Sequence, residues 1–341
     1  MKIKTYLSTI FDGMAKGLFA SLIIGTIVKQ IGVLTGFMPL QDMGQIAQYM
    51  MGPCIGAGIA FARKTKQFTL ASAIAAGALG ARTIVFVTMA DSAAATLGAA
   101  TINIGEPLGA CVAAVAAIEC ASFLEGKTKF DLLLVPAASL LVAGIFGMFV
   151  SPAIAFAMTA IGNAVNTFTE MQPLLMGILL GAVVGVVLTL PVSSAALCIA
   201  INIDGIAAGA ALAGCCAQMV GFAIISYREN KVGGLLAQGL GTSMLQVKNI
   251  IKNPWIWLPP TAAGAICGAL SATVFGMTAD KVGAGMGTSG LVGQFSTFNA
   301  MGMPSLWKMG VLHFLIPAVV SLLISELMRK KGLIKEGDMK L

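Results

Sequence analysis

The sequence predicts an all-α polytopic membrane protein of about ten transmembrane helices, within a range of roughly eight to twelve, in two weakly similar, like-oriented halves with broken or re-entrant segments. Three observations carry that prediction. Only 10% of the 341 residues are charged and 57% are apolar, whereas a water-soluble surface needs about a quarter charged residues. Apolar runs long enough to cross hydrocarbon recur along the chain between short basic clusters. Glycine supplies 41 residues without a three-residue period, which excludes a collagen-like chain and suits helices that approach through small side chains.

Each element is judged first by length, because a helix rising about 1.5 Å per residue needs roughly 20 mainly apolar residues to cross about 30 Å of hydrocarbon. Runs 16–37, 46–62, 129–150, 171–190, 205–225, 255–277 and 306–327 are mainly apolar and bounded by charges, Pro or Gly. The remaining runs are less regular: 68–89 contains Arg82, 107–124 contains Glu119, and 151–169 is punctuated by polar residues. Run 233–247 is too short to span upright, and 283–303 is rich in Gly, Ser and Thr. Some of these must tilt, break or re-enter, since irregular backbone at membrane depth survives only where protein or a wet cavity satisfies it.

The basic clusters set sidedness. They are Lys2, Lys4 and Lys16; Arg63, Lys64 and Lys66; Lys127 and Lys129; Arg228 and Lys231; and Arg329, Lys330, Lys331, Lys335 and Lys340. Under the positive-inside rule all face the cytoplasm, with both termini. Lys248, Lys252, Lys281 and Lys308 are exceptions, and Trp255, Trp257 and Trp307 read as interface anchors. The apolar stretch after the basic start has no small-residue cleavage signature and reads as a retained first span, a cleaved signal peptide being the alternative. The seven cysteines lie in apolar segments without a C-x-x-C pair. They read as small buried hydrophobes rather than a disulfide framework or metal site.

An internal duplication fits the order of landmarks. Gly17 to Gly25 is similar in character to Gly177 to Gly185. Pro39 and Pro191 follow, then basic loops at Arg63 and Arg228, then Gly80 and Gly241, then Glu106-Pro107 and Asn253-Pro254. The division expected is a first half at 1–165, a second at 166–327 and a basic cytoplasmic tail at 328–341, chance agreement of Gly and Ala patterns being the alternative. Paired repeats favour a transporter, whose site forms where repeats and discontinuous helices meet.

Among polar groups Glu106 leads. It sits in Asn103-Ile104-Gly105-Glu106-Pro107, where Gly permits unusual backbone and Pro suits a first helical turn. Its carboxylate can accept hydrogen bonds from a polar solute or cap the helix. Glu119 lies within an apolar run and must be paired, Arg82 or a backbone group being the expected partner. Arg82 and Asp91 flank a run too short to separate them by a membrane, and so form either a cavity lip or a salt bridge across a broken helix. Ser193 and Ser194 after Pro191, and Asn202 before Asp204, mark two further breaks whose polar groups bind solute hydroxyls or satisfy loosened backbone. Gln294 and Asn299 belong to a polar re-entrant or pore-lining segment, with Asn163, Gln172 and Gln218 as other neutral candidates. His313, the one histidine, holds solute, relays a proton, or is a satisfied structural side chain. This inventory suits a neutral, polyhydroxylated solute.

Soluble-chemistry motifs such as G-x-x-x-x-G-K-[ST], H-E-x-x-H and G-x-S-x-G are missing. The chain is expected to carry no catalytic residue, cofactor, metal or nucleic acid, so any phosphoryl group comes from another polypeptide.

Gly52-Pro53, the Ala-rich segment 71–82, Asn103 to Gly109 with its Glu-Pro pair, and the Gly-rich segment 283–303 together resemble the membrane IIC component of bacterial phosphotransferase systems. More narrowly the chain is similar to compact IIC-like proteins of the perfringolysin-regulator type. That resemblance implies a sugar permease, sugar contact at Glu106, a homodimer in lipid, and separate IIA and IIB proteins that supply phosphate. His313 follows rather than precedes the Glu-Pro pair, so it does not inherit the family histidine's role. The expected cycle admits the sugar to a wet cavity between the halves and moves one bundle to expose it inward. Competing readings are a proton-coupled secondary transporter using Glu106 or Glu119, a channel, and a membrane solute sensor. Proton-driven uptake, or binding without flux, would distinguish them.

Overall fold

The computed structural model describes residues 3–86, 100–127 and 130–341. It divides into two compact units, Met1–Phe156 and Ala157–Leu341. Among the described residues six helices have the length and apolarity of a membrane span: Thr5–Thr35, Pro107–Leu124, Asp131–Val150, Gly205–Ile225, Pro254–Phe275 and Ser305–Lys330. Three shorter apolar helices, Met51–Ala62, Gln67–Ala81 and Pro173–Thr189, accompany them. The described residues are therefore all-helical and polytopic, apart from one short ribbon.

In the first unit α1 (Ile3–Leu18) passes through a wide π turn at Phe19–Ile23 into α2 (Ile24–Thr35) without interruption. Gly36, at φ 69°, ends that helix in a left-handed cap. α3 (Met38–Tyr49) folds back beside α2, where Gln48 Nε2 donates to Thr26 Oγ1 at 2.8 Å. After a break at Met50, α4 (Met51–Ala62) continues along α1. The expected run 46–62 is thus two helices. α5 (Gln67–Ala81) returns beside α4 and stops at Arg82, which adopts φ 56°.

The expected run 68–89 therefore ends early. β1 (Ile84–Phe86) pairs antiparallel with β2 (Ala100–Ile102), a ribbon that hydropathy gave no reason to expect. α6 (Pro107–Leu124) covers the expected run 107–124, and α7 (Asp131–Thr169) joins runs 129–150 and 151–169 in one helix.

Small residues allow these contacts. A Cβ on Gly80 would lie 2.3 Å from the Gly109 carbonyl oxygen, so α5 and α6 touch backbone to backbone.

One end of the first unit gathers its basic loops. Glu119 accepts hydrogen bonds from Arg63 Nη2 at 2.7 Å and from Tyr6 Oη at 2.8 Å. Arg63 also lies 4.8 Å from the Tyr6 ring centre. Glu119 is thereby paired with Arg63 rather than with Arg82, because α6 runs back past the α4–α5 loop. Since the Glu119 side chain is 48% exposed, Glu119→Gln is expected to lower stability by less than about 1 kcal/mol. Thermal unfolding in detergent checks this.

In the second unit α8 (Pro173–Thr189), α10 (Gly205–Ile225) and α13 (Leu258–Leu270) form the packed centre, and α10 is buried along almost its whole length. α9 (Ser194–Ala200) connects α8 back to the start of α10. Beyond α10 come α11 (Tyr227–Leu236), a π turn at Ala237–Gly241, a 3₁₀ turn at Ser243–Gln246 and α12 (Val247–Lys252). α14 (Lys281–Ala284), a 3₁₀ turn at Ser289–Leu291 and α15 (Val292–Met301) follow α13. α16 (Ser305–Met309) passes through a π turn at Gly310–Leu315 into α17 (Ile316–Lys330).

Residues 331–341 do not trail away. They cross the end of this unit as a strap, with Ile334 and Met339 buried in a cluster with Phe222, Ile225, Ile250 and Ile256. Asn249 donates to the Lys340 carbonyl and Asn253 to Leu333. Lys248 and Lys252, beside them, therefore lie at the end that carries Arg228 and the strap. Lys281 bonds Asn202 at the other end of α10, and Lys308 bonds the Phe275 carbonyl where α13 finishes.

Candidate functional site

Helix breaks gather at one level in each unit, and the polar residues lie there. In the first unit Gly17 faces Cys54 and Gly25 faces Gly44. These contacts bracket both the π turn at Phe19–Ile23 and the break at Met50. Gly52 meets Ala81 and Thr83, so α5 ends at the same level.

α6 begins beside that end. The Asn103 amide donates to the Thr83 carbonyl at 2.8 Å, and the Glu106 amide to the Ala81 carbonyl at 3.0 Å. Gly105 holds φ 86°, and a Cβ there would lie 2.3 Å from the Ala81 carbonyl oxygen. Only glycine lets this loop turn so tightly against α5. Glu106 is the residue before the first helical turn, half-buried, with Pro107 at the first helical position. Arg82 and Asn103 share this corner and are exposed. Asp91 lies outside the described residues.

In the second unit three breaks converge. α8 ends at Thr189, whose hydroxyl lies 2.8 Å from Ser243 Oγ and donates to Gln218 Oε1 at 3.3 Å. Gln218 Nε2 donates in turn to Thr261 at 2.9 Å. This buried relay joins α8, α10, α13 and the 3₁₀ turn after Gly241. Ser193 caps α9, accepting from the Ala196 amide at 3.2 Å. Ser194 Oγ donates to the Gly285 carbonyl at 2.7 Å.

Two segments fold back to this level from opposite ends of α10. Segment 281–301 starts beside Gly205, which bridges Ala279, and its tip turns through left-handed Gly287, Gly290 and Leu291. Segment 227–252 starts at the strap end. The tips meet where Thr288 Oγ1 donates to the Gly239 carbonyl. Such fold-backs were expected for 283–303, and the short run 233–247 takes the same form.

Gln294 and His313 are brought together, Gln294 Nε2 lying 3.3 Å from His313 Nδ1. Gln294 Nε2 also lies 3.3 Å from Cys216 Sγ. His313 is fully buried. Gln294 Oε1, His313 Nε2, Thr297 Oγ1 and Ser289 Oγ have no hydrogen-bond partner among the described residues. Unpaired buried polar atoms of this kind cost about 1–3 kcal/mol each, which makes them candidates for solute contact.

Asn299 is exposed, further along α15, and does not join them. Asn202 is exposed at the end of α10 and accepts from Lys281 Nζ at 2.8 Å. Thr189, Thr242, Ser243 and Cys216 were not singled out from the sequence. Pro191 just after Thr189, and Gly239 and Gly241 just before Thr242, were the signals.

A family model described as "Phosphotransferase system, EIIC" matches residues 8–341. No curated protein matches the chain.

Proposed function

The chain belongs to the phosphotransferase-system EIIC family, and from that premise we propose that this bacterial membrane sugar permease holds its solute through Glu106. The family match over nearly the whole chain carries the transport function, a sugar as substrate class and a cytoplasmic IIB protein as partner. Glu106 is the finer step. Its carboxylate stands at the start of α6 on a loop fixed by two backbone hydrogen bonds, and a held acceptor of this kind orients a sugar hydroxyl. Phosphate arrives from IIB, so this chain positions the sugar rather than attacking the phosphorus.

The topology proposed with it has about ten crossings, both termini in the cytoplasm and a homodimer in lipid. The gathering of Tyr6, Arg63 and Glu119 at one end of the first unit supports a common side for its basic loops. The bonds from Asn230 to the Met339 carbonyl and from Arg329 to Glu229 support the same for the second.

Purified protein in liposomes, with and without IIB, tests the reading across a sugar panel. Glu106→Gln is expected to weaken sugar binding roughly 10- to 100-fold with folding unchanged, the range for one hydrogen bond to a charged group. Unchanged binding constants would overturn the role of Glu106.

A further inference from the structure

The strap reaches the meeting point of the two fold-backs through buried neutral amides. Gln246 Nε2 donates to the Met339 carbonyl at 3.0 Å and to Gln238 Oε1 at 2.8 Å. Asn249 Nδ2 donates to Gln246 Oε1 at 2.8 Å and to the Lys340 carbonyl at 3.1 Å. Asn230 clasps the same stretch from the other side, donating to the Met339 carbonyl and accepting from the Leu341 amide. Gln238 also donates to Ser226 Oγ at 2.8 Å. Gln238, Gln246 and Met339 are all fully buried. The residue after Gln238 is Gly239, whose carbonyl receives Thr288 at the tips.

We propose that the strap at residues 331–341 positions the tip of fold-back 227–252, with Gln246 and Asn249 as positioning residues for transport. The Met339 side chain fills the apolar cluster and its carbonyl anchors Gln246. Gln246 fixes Gln238, and Gln238 presents the Gly239 carbonyl to Thr288. An amide that both donates and accepts transmits position, because losing either partner leaves a buried group unpaired. Freed from the strap, the segment keeps its α11 and α12 turns but loses the restraint on its tip. The Thr288 contact then opens toward the strap end. This role rests on the permease reading for its importance to transport, though the tip's restraint can be measured without any sugar.

The test is thiol labelling of Ser289→Cys in the full chain in native membranes, using a water-soluble maleimide. The protein with its own seven cysteines sets the background. Ser289 is 4% exposed, so labelling reports opening of the tip. Met339→Ala, through packing lost from the apolar cluster, and Asn249→Ala, through a lost buried hydrogen bond, are each expected to raise the rate at least about tenfold. The double variant should label no faster than either alone, because both release one strap. Paired cysteines at Asn230 and Leu341, oxidised to a disulfide, should slow labelling below the parent, and reduction should restore it once labelling of the same pair without Ser289→Cys is subtracted.

Unchanged rates, multiplicative effects in the double variant, or a locked strap that labels like the parent would each overturn the proposal. If Met339→Ala fails to fold, the disulfide and Asn249→Ala decide it. Altered labelling, alongside a parent chain with Ser289 intact that moves no sugar, would sink the permease reading and leave the strap's role standing. Normal uptake with unaltered labelling would do the reverse.

Discussion

Gly214→Val and Gly181→Val are each expected to abolish the folded, monodisperse protein, with a loss of at least about 3 kcal/mol from overpacking against backbone. A Cβ on Gly214 would lie 2.0 Å from the Gly181 carbonyl oxygen, and one on Gly181 would lie 2.3 Å from the Gly264 carbonyl oxygen. No side-chain rotation relieves such a contact. α8 must move away from α10 or α13, and each shift strips dispersion contacts from helices that no aqueous hydrophobic effect pulls together in lipid.

Gly144 and Gly147 provide the control, since a Cβ on either meets nothing within 4 Å. Gly144→Ala should be neutral, or stabilising by up to about 1 kcal/mol through helix propensity. Size-exclusion profiles of detergent-extracted variants check the contrast. A Gly214→Val protein that elutes and melts like the parent would refute the backbone contact.

The second large effect is expected at the strap end of α17. Arg329 Nη2 lies 2.9 Å from Glu229 Oε1, with side chains only 12% and 4% exposed, and it also donates to the Ile225 carbonyl at 3.2 Å. Removing one partner strands the other charge in a poorly hydrated place. Arg329→Met alone should therefore cost about 3–5 kcal/mol, because the desolvation of Glu229 is no longer offset.

Changing both residues together, to Arg329→Met with Glu229→Gln, should recover most of that loss, since no charge is left buried. Thermal midpoints of the two single variants and the double variant read the difference. Contrast the Arg228–Glu326 pair at 3.1 Å, where side-chain exposures are 64% and 35%. There either truncation should cost less than about 1 kcal/mol.

Hydropathy located the helices because apolar length is a direct requirement of hydrocarbon. Run 205–225 returned as α10 and run 107–124 as α6, each bounded by residues with a cap or Pro at its start. The same signal missed the break at Met50, since a kink costs no apolar residue. It also separated 129–150 from 151–169, which form one helix. Charge partners were less legible. Glu119 meets Arg63 across the fold, and sequence spacing says nothing about which loop α6 will pass.

The strap escaped because its composition is that of a solvated basic tail. Its anchoring depends on Asn230, Gln246 and Asn249 in the fold-back and on Asn253 just after it, four neutral residues. Gln294 was chosen from the sequence as part of a polar re-entrant or pore-lining segment and His313 as the one histidine in the last apolar run, and the structure adds their proximity. Which polar residue faces which is decided by where the fold-backs turn, and that follows from left-handed Gly287 and Gly290 rather than from periodicity.

The kind of bond that fastens the strap has its own consequence. Apart from the bond from Asn253 to the Asp338 carboxylate, these are amide-to-carbonyl contacts without net charge, so mobile ions, which damp exposed full charges beyond about 8 Å at physiological ionic strength, leave them nearly untouched. At this one end, added electrolyte weakens the attraction between the exposed lysines and any anionic surface while the strap stays seated. Docking at that face and the seating of the strap are therefore governed by different solution variables.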